Sequence, residues 1–206
     1  MQKMNLPNKL TIMRFIMALV VIVIFVLPYE QMGWTPTEIP TTGFNVIDLI
    51  CCVLFIVASI TDTLDGQIAR KRNLITNFGK FMDPLADKFL VNSSLILLAV
   101  KNGRYLPAII VVLMLGRDLV VDGIRLVAAS QGKVIAANVY GKAKTVAQMI
   151  VIPILFLKGF PFNYLLKEYT YIFTIVISCI ALVLSLVSGA IYVYRGREFI
   201  FDKDEK

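Results

Sequence analysis

Six windows of about 20 predominantly apolar residues, near 10 to 28, 44 to 61, 85 to 100, 105 to 129, 144 to 160 and 169 to 194, leave this chain few ways to fold. Each is read as a helix crossing a hydrocarbon layer. Apolar residues make up 58% of the chain, which is outside the soluble globular range. The expected architecture is an all-α integral membrane protein with six transmembrane helices, formed as a single domain over 1–206. Only a short polar tail, 202–206, is left over. The first window lacks a small-residue cleavage site and runs into Pro28 and a Trp-containing loop, so it reads as a retained helix rather than a signal peptide.

Six spans put both termini on one side, and the basic residues say which. Lys3, Lys9 and Arg14 precede or open the first span. Arg70, Lys71, Arg72 and Lys80 follow the second, Lys133, Lys142 and Lys144 the fourth, and Arg195, Arg197, Lys203 and Lys206 the sixth. The opposite loops hold only Lys101, Arg104, Lys158 and Lys167. Both termini and the loop after span 2 are therefore expected in the cytoplasm. The net charge of +7, spread over four membrane-flanking segments, suits anionic lipid head groups and argues against a nucleic-acid partner.

Acidic residues cluster where the second span meets this cytoplasmic side. Asp62, Asp65, Gly66, Ala69 and Arg70 form DxxDGxxAR, and eight residues later Gly79, Asp83 and Asp87 form GxxxDxxxD. On helices, Asp62 and Asp65 share one face, and so do Asp83 and Asp87. Two such faces, opposed, make a cage of four carboxylates. Such a cage needs counter-charge, which two hard divalent cations, Mg²⁺ or Mn²⁺, would supply through oxygen ligands. The plainer alternative is four acids on a solvated loop, neutralised by Arg70, Lys71, Arg72, Lys80 and Lys88. Gly66 and Ala69 also read two ways, as a close approach for a nucleotide or as ordinary packing of membrane helices. Gly79 serves either purpose.

With both glycines, Ala69 and Arg70 in register, the pattern resembles the signature of the CDP-alcohol phosphotransferases, integral membrane enzymes that build phospholipid head groups from CDP-activated lipids. The resemblance implies that family's fold, with Asp62, Asp65, Asp83 and Asp87 holding two divalent cations and Asp87 also accepting a proton from the acceptor hydroxyl. It further implies that Gly66, Ala69, Arg70 and Thr76 contact the CDP-lipid, with Asn8 and Thr11 completing the pocket, and that the protein is a homodimer. The planar fork of Arg70 suits a phosphate. The opening stretch Asn5-Leu6-Pro7-Asn8-Lys9-Leu10-Thr11, followed by Arg14, is similar to the branch that uses glycerol 3-phosphate. The implied reaction joins CDP-diacylglycerol to glycerol 3-phosphate, giving phosphatidylglycerophosphate and CMP. The small size and the lack of a transit-like leader favour a bacterial cell membrane as the setting, with membrane lipids as surroundings.

A second set of charges interrupts span 4. Arg117, Asp118, Asp122 and Arg125 each carry an insertion cost of about 2.5 to 3.5 kcal/mol at a span centre. Local pairing, Asp122 with Arg125 at i, i+3, would offset part of it. The other reading is a polar cavity facing the carboxylates, where Arg117 and Arg125 grip an anionic acceptor and Lys142 and Lys144 close the pocket. The lysine pair equally reads as a topology anchor. Several cations near one site favour a phosphorylated acceptor over serine, which is zwitterionic, or inositol, which is neutral. Inositol phosphate would need the same cations, and the N-terminal resemblance favours glycerol 3-phosphate.

Cys51, Cys52 and Cys179 fall within the windows and are expected in the core. The chain has no histidine, which excludes zinc sites built on His and every Ser-His or Cys-His mechanism. A cation or phosphate transporter would account for intramembrane charges, but neither discontinuous helices nor paired repeats are visible. A lipid scaffold would leave the spaced aspartates unexplained.

Overall fold

The computed structural model describes residues 5–40, 42–71, 76–133, 135 and 139–200; the side chains of 6, 7, 63–71, 77, 80 and 198–200 lie outside that description. The tail at 202–206 and the charges Lys3, Arg72, Lys203 and Lys206 fall outside the described residues. The described chain forms helices α1 (Leu6–Val26), α2 (Val46–Lys71), α3 (Asn77–Lys101), α4 (Ala108–Ser130), α5 (Val139–Phe156), the short α6 (Asn163–Leu166), a 3-10 turn (Lys167–Tyr169) and α7 (Thr170–Ile200). Among the described residues there is no β-strand beyond the isolated bridge between Glu38 and Asn45.

Local chemistry explains several helix ends. Pro7 stands in the first turn of α1, where its missing N–H costs nothing. At the start of α2, Asn45 Oδ1 accepts from the Asp48 N–H at 2.9 Å and Asp48 Oδ2 accepts from the Asn45 N–H at 3.2 Å, a reciprocal cap. α4 stops at Gly132, whose φ of +70° lets the Lys133 N–H reach the Ala128 carbonyl at 2.9 Å and the Gly132 N–H reach Ala129 at 3.0 Å. α3 begins eight residues before its apolar window, because Thr76 caps it and a helix tolerates Asp83 and Asp87 on one side. α2 runs without a break from Val46 to Lys71, about 39 Å at 1.5 Å per residue.

α1 packs against α2 and α3, α7 packs against α4 and α5, and α2 meets α5 between the two groups. At that junction Phe156 meets Phe25 edge-on at 5.4 Å and Phe55 at 6.2 Å. Cys51 and Cys52 are buried there, but Cys179 is exposed. The expected core position fails because α7 turns Thr174, Ser178, Ala181, Ser185 and Ser188 inward, leaving Cys179 on the opposite face.

That inward face carries the small and polar residues, while Val176, Ile180, Val183 and Val187 point out. The same inversion occurs elsewhere: Val23, Ile109, Val112 and Leu119 are exposed, whereas Ser94 and Arg14 are buried. Apolar outside and small or polar inside is the arrangement of helices packed in lipid. Among the described residues, three helical stretches, Asn8–Val26, Val139–Phe156 and Asn163–Arg197, are long and apolar enough to cross a membrane. α3 and α4 are comparable in length but carry charged residues partway along.

Candidate active site

The carboxylates of α2 and α3 are organised by α1. Asn8, Thr11 and Arg14 recur every third residue, so they share a stripe, and all three are buried. Arg14 Nη1 lies 2.5 Å from Asp62 Oδ1. Thr11 donates its hydroxyl to Asp83 Oδ1 at 2.5 Å. Asp62, just past the apolar window, has its carboxyl pushed above the usual range by burial; Arg14 pulls it down and Asp83 pushes it up again. Asp87, one turn beyond Asp83, is within electrostatic reach of Asp62, Arg14, Lys144 and Lys88. Pro84 sits between the two aspartates and removes one intrahelical hydrogen bond there.

Oxygen-only donors in a chain without histidine suit a hard divalent cation. The mutual repulsion of Asp62 and Asp83 is of the kind such a charge relieves. Among the described residues no three acidic side chains gather closely enough to hold an ion. Asp65, the remaining member of the expected set, is one turn further along α2, and its side chain lies outside the described residues. The same holds for Gly66, Ala69 and Arg70.

Thr76 and Asn8, expected at the CDP-lipid, engage one another. Thr76 donates to Asn8 Oδ1 at 2.8 Å and accepts the Gly79 N–H at 3.0 Å, capping α3. Gly79 leaves little room: a Cβ there would lie 3.2 Å from Asn8 Oδ1 and 3.3 Å from Thr76 Oγ1. Close packing of α1 on α3 thus accounts for this glycine.

A cavity of about 290 Å³ opens beside Asp87, and its walls include Arg117, Arg125, Lys142 and Lys144. The structure therefore brings the four candidate acceptor cations to one space with the candidate base. Local pairing along α4 holds for Arg117 with Asp118 but not for Asp122 with Arg125. Asp122 pairs with Lys88 of α3 rather than with Arg125, because α3 presents its lysine across the cavity. Arg125 instead reaches α7, donating to the Tyr192 hydroxyl at 2.5 Å with its guanidinium 4.9 Å from the ring centroid. Arg117 donates to Asp118 at 2.7 Å and to Ser188 at 2.7 Å. Buried Lys144 donates to both Asp118 oxygens, at 2.9 and 2.6 Å. Lys142 is exposed.

Several of these partners carry no local signal. Ser188 and Tyr192 look like packing residues of an apolar helix, and Arg14 looks like a flanking charge. Only its spacing from Thr11 marks it as part of an inward stripe.

The family profile described as CDP-alcohol phosphatidyltransferase matches residues 4–188. The chain is 44% identical over 159 residues to a CDP-diacylglycerol--glycerol-3-phosphate 3-phosphatidyltransferase of Bacillus subtilis, covering 77% of this chain and 80% of that one. It is 40% identical over 167 residues to the enzyme of that name from Mycoplasma pneumoniae, covering 80% and 71%. To the Haemophilus influenzae protein of that name it is 31% identical over 202 residues, covering 97% of each chain. With its signature, its helices and these relatives in agreement, the chain belongs to the CDP-alcohol phosphatidyltransferase family.

Proposed function

We propose that the protein is an enzyme that transfers the phosphatidyl group of CDP-diacylglycerol to the primary hydroxyl of sn-glycerol 3-phosphate, releasing CMP and forming phosphatidylglycerophosphate. The observation that carries this reading is the single cavity joining Asp87 to Arg117, Arg125, Lys142 and Lys144. A phosphomonoester on the acceptor matches that concentration of cations, whereas serine or free inositol does not need it. The names of the relatives point to the same acceptor.

In this reading Asp62, Asp65, Asp83 and Asp87 would hold two divalent cations, Mg²⁺ or Mn²⁺. Held by these residues, such cations would supply counter-charge to the diphosphate and would lower the pKa of the attacking hydroxyl. Arg14 and Thr11 fix the orientation of Asp62 and Asp83. Asp87 accepts the hydroxyl proton as the new oxygen–phosphorus bond forms and the bond to the CMP phosphate breaks. Proton transfer of this kind contributes about 10² to 10⁴-fold. Arg117, Arg125, Lys142 and Lys144 hold the acceptor phosphate, while Gly66, Ala69 and Arg70, with Thr76, Asn8 and Thr11, form the CDP-lipid side.

The same reading has all six long helices spanning a bacterial cell membrane, both termini and the carboxylates facing the cytoplasm, and two chains pairing as a homodimer. It is supported by the outward apolar faces and by the bias of basic residues towards one side.

The test is CMP release by purified protein in detergent with CDP-diacylglycerol, Mg²⁺ and, separately, glycerol 3-phosphate, serine, inositol or inositol phosphate. Release with glycerol 3-phosphate alone is expected. Release with a different acceptor alone would keep the chemistry and overturn the substrate.

A further inference from the structure

We infer that Asp118 is a positioning residue for the acceptor's phosphate, locking Arg117 of α4 and Lys144 of α5 into one prearranged pair. The inference rests on the function proposed above and divides the cations of the cavity into three kinds.

Lys88 is matched one-to-one by Asp122. Arg117 and Lys144 share a single carboxylate, that of Asp118, through contacts of 2.7, 2.9 and 2.6 Å. Three such groups keep a net charge of about +1, so the pair is held in place and still attracts an anion. Arg125 and Lys142 have no carboxylate partner among the described residues. Asp118 is only 8% exposed, and both of its oxygens are engaged.

α7 fixes the same arginine from the other side. Ser188 takes its second amino group at 2.7 Å, and the aliphatic stem fills a notch at Gly189. A Cβ on Gly189 would lie 2.7 Å from Arg117 Cγ and 3.1 Å from Nε. A guanidinium and an ammonium on long stems otherwise sample many rotamers. Fixing them before the acceptor arrives removes that ordering from the cost of binding.

The opposite role is also chemically coherent: Asp118 as a competitor that the phosphate must displace. The two roles predict opposite signs. Steady-state CMP release is measured with glycerol 3-phosphate varied at saturating CDP-diacylglycerol, and then the reverse, for wild type, Asp118→Asn, Asp118→Glu and Gly189→Ala. Positioning predicts that Asp118→Asn raises KM for glycerol 3-phosphate about ten-fold or more and leaves KM for CDP-diacylglycerol nearly unchanged, with partial recovery in Asp118→Glu. Gly189→Ala keeps every charge and is expected to raise the same KM; it carries the test should Asp118→Asn fail to fold. A fall in KM for glycerol 3-phosphate would show competition and overturn the inference, and equal rises in both KM values would show a merely structural role and do the same. Wild-type turnover with an unaltered KM in Asp118→Asn and Gly189→Ala overturns this inference alone, whereas absence of wild-type turnover with glycerol 3-phosphate overturns the function and the inference together.

Discussion

Arg14 of α1 places Nη1 2.5 Å from Oδ1 of Asp62 on α2, with the arginine side chain fully buried and the aspartate about one-third exposed. The first helix thus reaches into the carboxylate cluster and orients one of its members, as outer partners do around metal ligands. Replacing Arg14 by Gln keeps a polar side chain of similar reach and removes the charge. Turnover is expected to fall about 10- to 100-fold, with a higher Mg²⁺ concentration needed for half-maximal rate. An Mg²⁺ titration of CMP release checks both.

Asp87→Asn is expected to abolish turnover while largely sparing CDP-diacylglycerol binding, because the amide cannot accept the hydroxyl proton. Single-turnover kinetics beside a lipid-binding assay separate the two effects. Retention of more than about a tenth of the wild-type rate would remove Asp87 from the role of base, since such catalysis typically supplies at least 10²-fold.

Thr76→Val removes both the cap on Gly79 and the donor to Asn8. It is expected to destabilise the protein by about 1 to 2 kcal/mol, seen as a lower Tm in detergent, with Thr76→Ser close to wild type. A rise in KM for CDP-diacylglycerol without a loss of Tm would instead indicate that Thr76 serves the nucleotide directly.

Orientation is testable by cysteine labelling in intact cells. Lys133, after α4, and Gly103, between α3 and α4, are both exposed, and Cys51 and Cys52 are buried. With exposed Cys179 first replaced by Ala, Lys133→Cys is expected to react only with a permeant reagent, and Gly103→Cys with an impermeant one as well. The reverse pattern would invert the cytoplasmic assignment.

What was legible in the sequence is what local periodicity encodes. Each long helix overlaps one apolar window, and DxxDGxxAR with GxxxDxxxD places the acids at a helix end and a helix start. Partnership across the bundle was not legible. Arg14 finds Asp62, Lys88 finds Asp122 and Arg125 finds Tyr192 over separations set by tertiary packing. Along α4, Arg125 and Asp122 look like natural partners at i, i+3, yet each has a neighbour on another helix. Cys179 misled for a related reason, since an apolar helix in lipid buries its small polar face and hydrophobicity alone does not tell inside from outside.

The most direct test of the central claim is formation of radiolabelled phosphatidylglycerophosphate from CDP-diacylglycerol and glycerol 3-phosphate by wild type and Asp83→Asn, each with Mg²⁺ and with EDTA. Product from wild type with Mg²⁺, lost in EDTA and in Asp83→Asn, is the predicted result. Product from Asp83→Asn near the wild-type level, or none from wild type, would contradict the account.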